Sequence, residues 1–167
     1  DHRGCGRSTG DKDSWHLDQW ADDLAAFCKA LGIESPVVFG QSFGGMVAMH
    51  YAARHPASVS KLILSSTAAQ FRLDETEKMM RTLGGDAAAQ VARQFFSNPS
   101  EKAYEVYGEV CLPLYSNPNA AGAGAFRDRA IQRPEVAVHF FTDEMARMDM
   151  RAEIAGITCP TLVIGGT

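Results

Sequence analysis

In VVFGQSFGGMVAMHYAARHP, residues 37–56, one serine stands between two glycines as G-Q-S-F-G. So short a pattern can arise by chance, and its flanks decide what it means. Residues 36–39, PVVF, form a short apolar run rich in β-branched side chains and read as a buried strand. Residues 44–54 are rich in small residues, read as a helix, and end at His55-Pro56. Strand, tight turn and helix with a serine at the apex is the arrangement that exposes a nucleophilic hydroxyl. Gly40 and Gly44 then supply clearance where strand and helix approach, and Gly45 adds room. Ser42 is therefore the candidate nucleophile, with its backbone expected in a sparsely allowed region. The helix N-terminus points N–H groups and partial positive charge at it. The Phe43 N–H is placed to receive the oxyanion of a tetrahedral intermediate, a contribution of roughly 2.7–4 kcal/mol per donor. The alternative, a phosphate-cradling turn, calls for G-x-G-x-x-G or G-x-x-x-x-G-K-[ST], and the sequence has neither.

Outward from this turn, residues 61–66, KLILSS, read as a second buried strand. Strand, helix and strand with short joints predict parallel neighbours covered on both faces. Upstream, Leu17, Trp20, Leu24, Phe27, Cys28 and Leu31 fall on one face of a helix over residues 14–31, with Gly32 as its stop. Residues 1–13 read as loop. From residue 67 to about 157 helical patterns follow one another, roughly at 74–83, 86–96, 98–111 and 135–148. Asn98-Pro99-Ser100-Glu101 supplies an N-cap at Asn98 with Pro at the first helical position. NPNAAGAGA, residues 117–125, reads as a flexible joint. Strand character returns over residues 158–165. The expected organisation is an α/β core with the serine turn at 1–66, a helical cap or lid at 67–157, and a last core strand at 158–167.

Composition narrows the class. The 167 residues are 46% hydrophobic and 22% charged with a formal net charge of -4, which suits a globular domain and gives no reason to expect nucleic acid. No apolar stretch has the length of a membrane span, and no signal peptide is visible. Cytoplasm is the default location. The 4 cysteines are widely spaced and read as free thiols. No H-x-x-x-H or His/carboxylate cluster offers a metal shell, and no cofactor is called for.

The pieces DHRGCGRS (residues 1–8), the amphipathic helix ending in LGI, VVFGQSFGGMVAMHYAARHP and KLILSS together resemble the α/β-hydrolase fold. Within it the likeness is to the prolyl iminopeptidase-like group, whose members carry a similar D-x-R-G-x-G-x-S loop. The likeness is sharp over residues 1–10, 36–66 and 159–166. It implies a partial α/β-hydrolase sheet with a helical cap insertion, and a base and acid acting with the serine. The 5 histidines do not fit that base. His2 and His16 precede Ser42, His50 and His55 lie along the helix leaving it, and His139 lies in the cap. At ~1.5 Å per residue, His50 is about 12 Å from the turn. The family places its acid after the strand matching PTLVIGG or after the one matching LILSS. After LILSS comes Thr67-Ala68-Ala69, without a carboxylate. Acid and histidine are accordingly expected beyond Thr167 and the second oxyanion donor before Asp1, so that the chain is the central piece of a longer domain, inactive alone.

The resemblance also implies carboxylates holding a substrate amine, with Glu135, Asp143 and Glu144 as candidates beside Gln41. Solvated helix faces are the simpler explanation of the three acids. The expected function is cleavage of an ester or amide through an acyl-enzyme on Ser42, on a small-molecule or short-peptide substrate such as an N-terminal proline. The alternatives are a small-molecule esterase, lactonase or C–C hydrolase, and a non-catalytic scaffold that binds a ligand.

Overall fold

The computed structural model describes residues 1–117 and 130–166. The joint expected at 117–125 lies outside them except for Asn117. Two compact units emerge. One comprises Asp13–Phe71 and Arg147–Thr167 with His2, the other Arg72–Ala146 with Asp1 and Arg3–Lys12.

In the first unit α1 (Leu17–Ala30) starts later than the apolar spacing predicts, because the His16 side chain caps it by accepting from the Gln19 amide at 3.2 Å. Its end is set by Gly32 at φ 63°. The Gly32 amide donates to the Lys29 carbonyl and the Ile33 amide to Cys28, which satisfies two last-turn carbonyls. Leu17, Trp20, Ala21 and Cys28 are buried, while Phe27 and Leu31 from the same predicted face are exposed.

Strands β1 (Val37–Gln41) and β2 (Lys61–Ser65) are parallel neighbours, and β3 (Thr161–Ile164) adds to β2, giving the order β1-β2-β3. Between β1 and β2 runs α2 (Phe43–Arg54). Val38, Leu62 and Leu64 are buried together with Val47 and Tyr51 of α2. Side chains alternate along a strand, and on the other face Val37 (56% exposed), Phe39 (62%) and Leu162 (55%) are more than half exposed among the described residues. The chain leaves and re-enters this unit at adjacent points, since Gln70 bridges Asp149 and the Met150 amide donates to the Ala69 carbonyl.

The second unit is helical. α3 (Leu73–Ser97) is broken at Gly85, whose φ of 75° and ψ of -170° divide it where the sequence predicts two helices. α4 (Glu101–Val110) is capped by Ser100, which accepts from the Ala103 amide, and not by Asn98, which ends α3. The Ser100 oxygen lies 3.2 Å from that third-position amide. The single helix expected at 135–148 is instead α5 (Pro134–His139), a π turn over Phe140–Glu144 and a 3₁₀ turn over Met145–Arg147. The wider π turn shifts the buried face by a residue. Phe140 is thereby buried while its neighbour Phe141 packs edge-on against Phe95 and Phe96. Met80, Ala88, Ala92, Phe95, Tyr107 and Cys111 form the core.

Candidate active site

β1 ends at Gln41 and α2 begins at Phe43, so one residue makes the whole turn. That residue, Ser42, has φ 50° and ψ -122°. An L-residue avoids this region, and the strain of about 1–3 kcal/mol must be held by its surroundings. The Ser42 amide donates to the Ser65 carbonyl at 3.0 Å, continuing the β1–β2 ladder one residue past the strand. Its carbonyl accepts from the amides of Gly45 (2.9 Å) and Met46 (3.3 Å), opening α2. The side chain is solvent-accessible and makes no cap bond to the helix, which leaves its hydroxyl open to approach.

The close approach of strand and helix falls on Gly40 and Gly45. A Cβ at Gly40 would meet the Gly44 carbonyl oxygen, with the Gly45 Cα at 2.6 Å and the Ala48 Cβ at 2.8 Å. A Cβ at Gly45 would lie 2.6 Å from the Thr67 side chain. The clearance assigned from the sequence to Gly44 is corrected, because a Cβ there would point into open space.

Phe43 occupies the first helical position, where the amide points out of the N-terminal end of the helix. Its ring is gripped on two sides, edge-on to Trp20 (centroids 5.0 Å apart) and to His2 (5.3 Å). Trp20 is completely buried, and burial holds the His2 imidazole below its usual pKa, which favours the neutral ring. These two contacts were not legible in the sequence, since residues 2, 20 and 43 meet only through the fold. The loop DHRGCGRS closes on itself. The Asp1 carboxylate accepts from the Arg7 amide and the Asp1 carbonyl from the Ser8 hydroxyl. Gly6 at φ 56° leaves no space for a Cβ beside that carboxylate.

Among the described residues, no histidine is hydrogen-bonded to Ser42. His16 caps α1, His50 lies 3.1 Å from Asp18, His55 lies 2.9 Å from Asp22, and His139 lies 3.0 Å from Asp143. Gln41 is exposed at the end of β1. Glu135 is exposed in the first turn of α5, Asp143 faces His139, and Glu144 closes the π turn, all within the helical unit. Asp149 is held by Arg151, whose guanidinium lowers its pKa to about 2. Among the described residues, no group of three or more His, Cys, Asp or Glu side chains could hold a metal, and no helix is long and apolar enough to cross a membrane.

A family model described as the alpha/beta hydrolase fold matches residues 1–167. A proline iminopeptidase of Clostridium botulinum is 29% identical over 82% of this chain and 48% of its own length. A bifunctional esterase/perhydrolase of Acinetobacter calcoaceticus is 35% identical over 64% of this chain and 38% of its own length. The crystal structure of a hydrolase from Pseudomonas aeruginosa superimposes with a TM-score of 0.64 at 24% identity, over 99% of this chain and 59% of that one. The chain thus spans less than half the length of both of these curated relatives.

Proposed function

The chain belongs to the α/β-hydrolase fold family and is similar to proline iminopeptidases, and from that premise we propose that the protein carrying it is a serine hydrolase with Ser42 as nucleophile. The observation that supports this most is the single-residue turn at φ 50° with an accessible hydroxyl beside the first amide of α2. The Ser42 Oγ adds to an ester or amide carbonyl, its proton passes to a general base, and the oxyanion accepts from the Phe43 N–H. Collapse expels the alcohol or amine with that proton, and water then releases the acid and restores Ser42. The histidines at 16, 50, 55 and 139 already engage other partners. On the serine, acid, histidine order of the fold family, we propose that base and acid are residues outside this 167-residue stretch.

For the substrate we propose a short peptide with a free N-terminal proline, on the likeness to the Clostridium botulinum proline iminopeptidase. By the family resemblance, Glu135, Asp143 and Glu144 stay the candidate carboxylates for the amine. The second reading, an esterase on small molecules, draws on the Acinetobacter esterase/perhydrolase. A prolyl arylamide and a short-chain nitrophenyl ester, assayed with the full-length protein, separate the two. Hydrolysis of the ester alone counts against the peptidase. Ser42→Ala is expected to cut kcat by at least about 10³-fold on the preferred substrate and to abolish fluorophosphonate labelling. Turnover that survives this substitution returns the protein to a non-serine mechanism, and no turnover or labelling of the wild type favours a binding scaffold.

A further inference from the structure

Ser42 and Phe43 share one peptide unit, and a trans peptide is planar with its C=O and N–H pointing in opposite directions. Whatever holds the Ser42 carbonyl oxygen therefore also aims the Phe43 N–H. Two of the bonds to that oxygen come from α2 itself, from the Gly45 and Met46 amides. The third comes from outside the helix, where the Thr67 hydroxyl donates to it at 2.8 Å.

Thr67 is delivered there by the end of β2. Ser66 turns the chain at φ 46°, with its amide donating to the Ile164 carbonyl of β3 at 2.8 Å. The Thr67 side chain then fills the volume left by the missing Cβ of Gly45, with its Cβ and Cγ2 at 2.6 Å from where that atom would stand. A glycine on the helix and a threonine past the neighbouring strand form a fitted pair.

We infer that Thr67 is a positioning residue for the oxyanion donor, its hydroxyl fixing the plane of the Ser42–Phe43 peptide. The inference rests on the serine-hydrolase reading above. Thr67 acts through Ser42 and Phe43 without touching substrate, so its loss lowers kcat and leaves KM in place.

The test uses the full-length protein with Thr67→Val, which removes the hydroxyl at nearly constant shape, and Thr67→Ser, which keeps it. Thr67→Val is expected to lose about 3- to 10-fold in kcat, well short of the about 10²–10³-fold seen when a whole oxyanion donor is removed. A boronic acid that mimics the tetrahedral adduct should bind more weakly by the same factor, while the carboxylic acid product binds unchanged. Thr67→Ser should retain wild-type values. Thr67→Ala replaces the valine variant in the same comparison if the latter fails to fold. Wild-type kcat and boronate affinity in Thr67→Val overturn the inference, and so does a Thr67→Ser variant as impaired as Thr67→Val, which would place the effect in packing. Turnover independent of Ser42 would sink the hydrolase reading along with it, whereas Ser42-dependent turnover untouched by Thr67→Val sinks this inference alone.

Discussion

The three glycines around Ser42 look equivalent in sequence, yet each faces different surroundings. The Cβ that Gly40 lacks would strike the backbone of Gly44 and Gly45, which cannot rotate away as a side chain would. Gly40→Ala must therefore push α2 off β1. We expect a fall in Tm of more than about 5 °C, on the scale of overpacking in a close-packed interior. Gly44→Ala meets no atom within 4 Å and replaces glycine in a helical turn, so its Tm should hold or rise, by less than about 1 kcal/mol of stability. Thermal melts of the two variants side by side check the pair. Equal losses would mean that the turn tolerates no Cβ anywhere, whatever the local space.

Helices α1 and α2 are tied by charge at their exposed border. Arg54 reaches Asp22 at 2.8 Å and Asp18 at 3.3 Å, and His55 adds a contact to Asp22 at 2.9 Å. The Arg54 hydrogen bond, with His55 second, holds the Asp22 carboxyl below its usual pKa. A carboxyl depressed on folding stabilises the folded state above its unfolded pKa, and that contribution is lost as the pH falls through the folded value. Asp22→Asn should lower Tm by no more than about 2–4 °C at pH 7, because the pair is solvent-accessible. The gap from wild type should close as the pH drops below about 4. A gap that stays constant from pH 7 to pH 3 would show that Asp22 acts through something other than its charge. In the helical unit, Ser100→Ala removes the cap of α4 and should cost about 1 kcal/mol, read from a denaturant midpoint. An equal loss from Asn98→Ala would restore the cap position first read from sequence.

At the scale of the molecule, the 167-residue stretch taken alone leaves apolar side chains exposed on one face of the sheet. Val37 and Phe39 of β1 and Leu162 and Ile164 of β3 stand on it to either side of Ile63 of β2, each about half exposed or more. A contiguous apolar patch of this kind attracts apolar ligands and promotes association. A polypeptide of residues 1–167 should bind the dye ANS at neutral pH, and Phe39→Lys with Leu162→Lys should reduce the fluorescence without altering far-UV circular dichroism. Unchanged fluorescence would locate the dye elsewhere.

The turn, the parallel β1–β2 pair and the kink at Gly85 were legible in the residues, because each depends on near neighbours: β-branched runs, a glycine at a required conformation, small residues at helical spacing. Ser42 stood out for the same reason, through glycines two residues away on either side. Three features were decided only by tertiary structure. The grip of Trp20 and His2 on Phe43 and the bond from Thr67 to the Ser42 carbonyl join residues far apart in sequence. The fit of the Thr67 side chain into the space beside Gly45 is the third. Local pattern marks a residue as able to sit in a turn, a strand or a helix, but which distant side chain meets it depends on how the chain packs.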